Sequence, residues 1–333
     1  MQKKIFFFLS VLIFLSSSCN NKSRNLKVNI SKINIKTIKI KRYEKALFNI
    51  DTNNLKSELK GLSKDYKVFL NADFNDPENL EQIHDFITDK NIIELYNNCI
   101  KEYPDLNDIE KDITTSLKYY KYYFPNINIP EVYTYISNFD FENPVIFNND
   151  DLIIALDMYL GKDYKTYQAF GIPRYKTQWY NKKSIVRDCF KAIAEYKFNN
   201  IQRNKTLLDF MVERGKLMCF LDAVLPGTND EIKINYTTKQ LQWCKDNEAE
   251  IWAFIIERNL LYSKDYLIIN KFINDGPFTS YFSRESPART GWFIGWQIIK
   301  SYMNHNKDVT LEQLFNENDS QKILMSSKYK PKK

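Results

Sequence analysis

Residues 192–198 read AIAEYKF. Two histidines four residues apart on one helix face, with a glutamate beside the first, hold Zn²⁺ and activate its bound water. Glu195 keeps the glutamate's place in that frame, but Ala194 and Phe198 stand where the imidazoles would be. A catalytic zinc needs three good protein ligands plus water. Without imidazoles no such set is expected here, so neither a metal nor hydrolysis by that route follows. His84 and His305 are the only histidines, remote from each other and from any cysteine, which makes a Ser-His-Asp triad hard to build. No glycine-rich run stands at a strand-to-helix turn, so a phosphate loop is absent and no cofactor is implied. The same stretch also reads as an ordinary core helix, with Val186, Cys189, Phe190, Ile193 and Ala194 on the apolar face and Glu195 outside it.

The elements that must position these residues are mostly helical. Val28, Ile30, Ile33, Ile35 and Ile38 alternate with polar residues and suit a strand. Asp76 and Pro77 form a cap and first-turn pair, and a helix from Leu106 carries Ile109, Ile113, Leu117 and Tyr120 to a stop at Phe124–Pro125. IPEVYTYISNFD and NPVIFNNDDLIIALDMYLG are rich in β-branched residues between turn residues and predict a small sheet of hairpin strands before residue 165. Ser184 is expected to cap the AIAEYKF helix and Thr206 the next. Thr237 or Thr238 should open one long helix through Trp243, Trp252 and Ile255, and Ser286–Pro287 the last large one. Glu285 beside that cap would favour the positive end of the helix dipole, with Arg284 and Arg289 flanking it. The class is α+β, predominantly α-helical.

On that last helix Gly291 and Gly295 form GxxxG, and Trp292 and Trp296 share a face. The apolar run is too short to span a bilayer, so the pattern predicts close helix packing, or a partner surface if the aromatics are exposed. Cys99, Cys189, Cys219 and Cys244 lie among apolar residues with no CxxC, which favours buried thiols over disulfides.

The N-terminus, MQKKIFFFLSVLIFLSSSC, has a basic start, an apolar run from Ile5 to Leu15 and small residues before Cys19. The run is shorter than the roughly 20 residues of a membrane span. It reads as a signal over 1–18, resembling the bacterial lipobox, in which Cys19 would be acylated and become the first residue. Several acyl chains give stable anchoring, each buried CH₂ contributing about 0.8 kcal/mol. Residues 19–32 read as a polar tether, and 33–333 as one globular domain, helix and sheet to about 180 and helical beyond. The envelope is the expected location, with a periplasm-facing anchor and the leaflet left open. Hydrophobic residues at 44% supply a sizeable core. The net charge of +7 is spread among acidic residues without a stripe, so nucleic acid is not an expected partner.

LLDFMVERGKLMCFLDAVLPGTND, YTTKQLQWCKDNEAEIWAFIIERNLLYS, RESPARTGWFIGWQIIKSYM, the closing SSKYKPKK and the 122–161 region resemble the gliding-motility lipoprotein family GldB over nearly the whole mature chain. Around Thr290 to Phe293 the wording departs from that family, where a basic residue usually stands near Trp292. The resemblance implies a non-catalytic accessory of surface gliding and its coupled secretion machinery, with protein partners there. Glu213 in VERGK resembles the ligand-bearing helix of zincin-like peptidases, and GWFIGWQIIKSY their glycine-containing helix. Glu195 and Glu213 would then be relics of a degenerate zincin-like core. Two other readings stay open: a hydrolase with an atypical carboxylate site, and an envelope polysaccharide-binding lipoprotein, suggested by the many Tyr and Trp.

Overall fold

The computed structural model describes residues 26–198 and 205–331. The signal over 1–18, Cys19 and the tether as far as residue 25 lie outside the described residues. The fold is predominantly helical around one small mixed sheet, as the class assigned from sequence requires.

Four strands make the sheet: β1 (Ile40–Arg42), β2 (Glu131–Tyr135), β3 (Val145–Asn148) and β4 (Asp151–Ala155), in the order β1-β2-β4-β3. Only β3 and β4 form a hairpin, with Phe147 opposite Leu152. Asn149 and Asp150 turn it in left-handed conformations, φ 47° and 66°, which match the twist of a tight hairpin. The other two pairings are parallel: Ile40 lies beside Val132, and Val132 beside Leu152. β2 and β4 are therefore central and almost wholly buried, Val132 at 1% and Leu152 and Ile154 at 0% exposure.

The strand expected from Val28 to Ile38 is confined to Ile40–Arg42. Ahead of it and at its first residue the backbone bonds to side chains of the Asn107–Tyr123 helix: Ile38 N–H donates to Thr114 Oγ1 at 3.0 Å and Ile40 N–H to Glu110 Oε1 at 2.9 Å. Leu26, Val28, Ile30 and Ile35 still pack against the core.

Several helix starts follow the sequence and others correct it. Asp76 accepts from Glu78 N–H with Pro77 in the first turn, and Thr206 forms a reciprocal cap with Asp209 at the head of Leu207–Val224. The Lys182–Lys197 helix, however, is capped by Asn181, whose Oδ1 accepts from Lys183 N–H at 3.1 Å. Ser184 is buried inside the first turn. Thr237 opens its helix as expected, but Asn247 (φ −111°, ψ 17°) divides it into Thr238–Asp246 and Glu248–Glu257, its side chain donating to the Trp243 carbonyl at 2.8 Å.

The last large helix runs Thr290–His305 and does not begin at Ser286–Pro287. Ser286 Oγ bonds back to the Ser283 carbonyl at 2.7 Å, and Arg289 stands in the left-handed region at φ 59° before the helix starts. Glu285 is accordingly outside the first turn.

Leu207–Val224 is buried nearly all round and packs on Thr290–His305 at backbone contact. A Cβ on Gly215 would overlap the Gly295 carbonyl, and one on Gly295 the Met211 carbonyl. Only glycine permits that approach. The Leu207–Val224 helix contributes to both clefts described below, and the Thr290–His305 helix to the second.

Candidate functional site

Glu195 lies near the end of the Lys182–Lys197 helix and is held from two sides. Lys191, one turn earlier, places Nζ 3.0 Å from Oε2, and Arg214 on the Leu207–Val224 helix places Nη1 3.3 Å from Oε1. Glu213 pairs with Lys205 at 2.7 Å. Both glutamates line one cleft of about 280 Å³, together with Ala194, Phe198, Lys216 and Ser320. The sequence frame therefore does converge on a single concavity.

Its chemistry is that of ion pairs and packing. Ala194 is 3% exposed, and the Phe198 ring stacks on Phe315 with centroids 3.8 Å apart. The two positions that imidazoles would need thus carry apolar contacts. Among the described residues no group of three or more His, Cys, Asp or Glu is arranged to hold a metal. His84 lies 3.6 Å from Asp85 on its own exposed helix, and His305 ends the Thr290–His305 helix.

Lys216 is the unusual cation of this cleft. Its ammonium donates to the Glu317 carbonyl at 2.5 Å, and burial pushes its pKa down to about 8 against the opposing pull of Glu317 and Glu213.

A second cleft, of about 310 Å³, opens beyond Arg214, which lines both. Trp179, Tyr180, Arg187, Asn235, Arg289 and Trp292 contribute to its wall. The guanidinium carbons of Arg214 and Arg289 lie 5.0 and 5.1 Å from the Trp292 ring centroid, within cation–π range. The indole N–H of Trp292 donates to the Ile273 carbonyl at 2.9 Å. Arg289 is 7% exposed, with Nη2 bonded to the Ile234 and Asn235 carbonyls at 3.0 and 3.1 Å. Trp292 therefore has basic neighbours, one three residues earlier and one from a different helix.

Gly291, Trp292, Gly295 and Trp296 are all buried. Gly295 meets the Leu207–Val224 helix, while Gly291 faces Phe272 and Ile273 of the Tyr266–Ile273 helix. Trp296 donates to Asp222 at 2.7 Å and carries Lys300 over its ring. Cys99, Cys189, Cys219 and Cys244 are buried free thiols. Cys19 lies outside the described residues. No helix among them is long and apolar enough to cross a membrane.

Sequence reasoning found Glu195, Glu213 and Trp292 but missed Arg214, which joins the two clefts. Its only signal was a basic residue beside Glu213 on a mostly apolar helix, VERGKLMCF.

A family model described as Gliding motility protein GldB matches residues 23–331. No curated protein and no solved structure matches the chain.

Proposed function

The chain belongs to the gliding motility protein GldB family, and from that membership we propose that it serves the gliding apparatus and its coupled secretion machinery as a lipid-anchored, non-catalytic binding component. The observation that carries the non-catalytic part is the double ion pair of Glu195 with Lys191 and Arg214. A carboxylate held by two cations acts as a structural partner, and Ala194 and Phe198 give it no metal to work with. The hydrophobic signal and Cys19 support the anchor, which would face the periplasm from an envelope membrane. Protein partners in the same machinery are the natural recipients of such a component.

The anchor is tested by Cys19→Ala in a deletion strain, following membrane fractionation and gliding together. The variant should leave the membrane fraction and lose or weaken gliding. Retention on membranes with normal gliding would overturn the anchored reading.

A further inference from the structure

We propose that the cleft bounded by Trp179, Arg214 and Trp292 binds a saccharide that carries a carboxylate, with Arg214 receiving the acid. The inference stands on this cleft and does not rest on the gliding role.

The charges leave Arg214 under-compensated. Of the basic residues around the cleft, Arg187 is paired with Asp188 and donates to the Lys233 carbonyl at 3.0 Å, and Lys176 is 2.9 Å from Glu142. Arg289 has two carbonyls and an ion pair with Asp275, whose Oδ1 lies 2.8 Å from its Nε, although that Nε, like the one on Arg214, forms no hydrogen bond. Lys191 and Arg214, by contrast, share the single carboxylate of Glu195. The Nε of Arg214 is buried and has no hydrogen-bond partner. A buried guanidinium N–H left unpaired is costly, and a turn of the Arg214 side chain toward an incoming anionic oxygen would satisfy it with a charge-assisted bond.

The cleft asks for a hydroxyl donor as well. Asn235 Oδ1, on the same wall, is buried without a donor. Protonated inorganic phosphate offers only P–OH groups on a single centre, whereas a sugar carries several hydroxyls spaced around a ring beside its acid group. Trp179, half-buried on the wall, presents a flat apolar surface of the kind that covers the C–H face of a pyranose. The volume of about 310 Å³ lies at the small end of ligand sites, enough for one ring or the end of a chain.

The test is isothermal titration calorimetry on the purified mature protein, with oligoglucuronate, a neutral cello-oligosaccharide of equal length, inorganic phosphate and a short peptide with a free C-terminus as separate probes. Oligoglucuronate should bind and the other three should bind far more weakly. Arg214→Gln should weaken it roughly tenfold or more, the loss expected for one charged hydrogen bond. Arg214→Lys, which keeps the charge but removes Nε, should fall between. Trp179→Ala, outside the packed core, gives a folded second variant and should also weaken binding. Absence of oligoglucuronate binding, equal binding of any other probe, or indifference to both Arg214→Gln and Trp179→Ala would overturn the proposal.

Discussion

Arg214 ties Glu195 to Trp292: its Nη1 lies 3.3 Å from Glu195 Oε1, and its guanidinium carbon 5.0 Å from the Trp292 ring centroid. One side chain thereby forms the partition between two clefts. Glu195 is 37% exposed, so its ion pairs act against solvent screening. Glu195→Gln should lower unfolding stability by no more than about 1 kcal/mol. Urea titration measures it, and a loss several times larger would mean that Glu195 supports the core itself.

The glycines of the last large helix differ in what they permit. Gly295→Ala drives a methyl into the Met211 carbonyl, backbone that cannot rotate away. It should destabilise by about 3 kcal/mol or more. Gly291→Ala meets the tip of Ile273 at 2.9 Å and the Phe272 carbonyl at 3.0 Å, and should cost nearer 1 kcal/mol. Equal effects in chemical denaturation would contradict this assignment of the two faces.

Lys216 gives stability a pH dependence of known sign. Burial lowers its pKa to about 8, below the ordinary lysine value of about 10.4. Below pH 8 the amine is charged in both folded and unfolded chains, and folding bears the full cost of burying it. Between those two values the folded chain releases its proton first, so the unfolded chain binds more protons and stability rises with pH. The stability of wild type minus that of Lys216→Met should increase across this window, by at most about 1.4 kcal/mol per pH unit. A flat difference in urea titrations on either side of pH 8 would count against the buried ammonium.

Metal should be irrelevant to the fold. Treatment with a chelator is expected to leave Tm unchanged, and added zinc should not raise it. A zinc-dependent rise would signal binding to the folded state by mass action, returning the atypical hydrolase to consideration.

Much of the local structure was legible in the sequence because its causes are local. Thr206 and Asp209, or Thr237 and Gln240, satisfy each other across one turn, and the Asn149–Asp150 pair specifies its hairpin. The misplaced starts share a cause: Ser184 and Ser286 have a side chain suited to capping, but their surroundings offer something stronger. Asn181 lay three residues before the first, and the second bonded back to Ser283. Alternation through Val28–Ile38 marked burial correctly without marking a strand, since side chains from the Asn107–Tyr123 helix take the backbone bonds.

The site was less legible because its contacts are distant in sequence. The carboxylates Glu195 and Glu213 announced themselves through spacing and resemblance. Their cations did not, for nothing in VERGK says that Arg214 will reach back to Glu195 and across to Trp292. The parallel pairing of Ile40 with Val132 was equally hidden, being decided by the helices between them.

The central claim is that Glu195 and Glu213 serve as ion-pair partners in a non-catalytic component of the gliding apparatus. Complementation of a deletion strain with Glu195→Gln/Glu213→Gln, scoring gliding or secretion at matched protein level, tests it most directly. Full rescue is the expected result. Loss of function in a variant that remains folded and equally abundant would contradict the account.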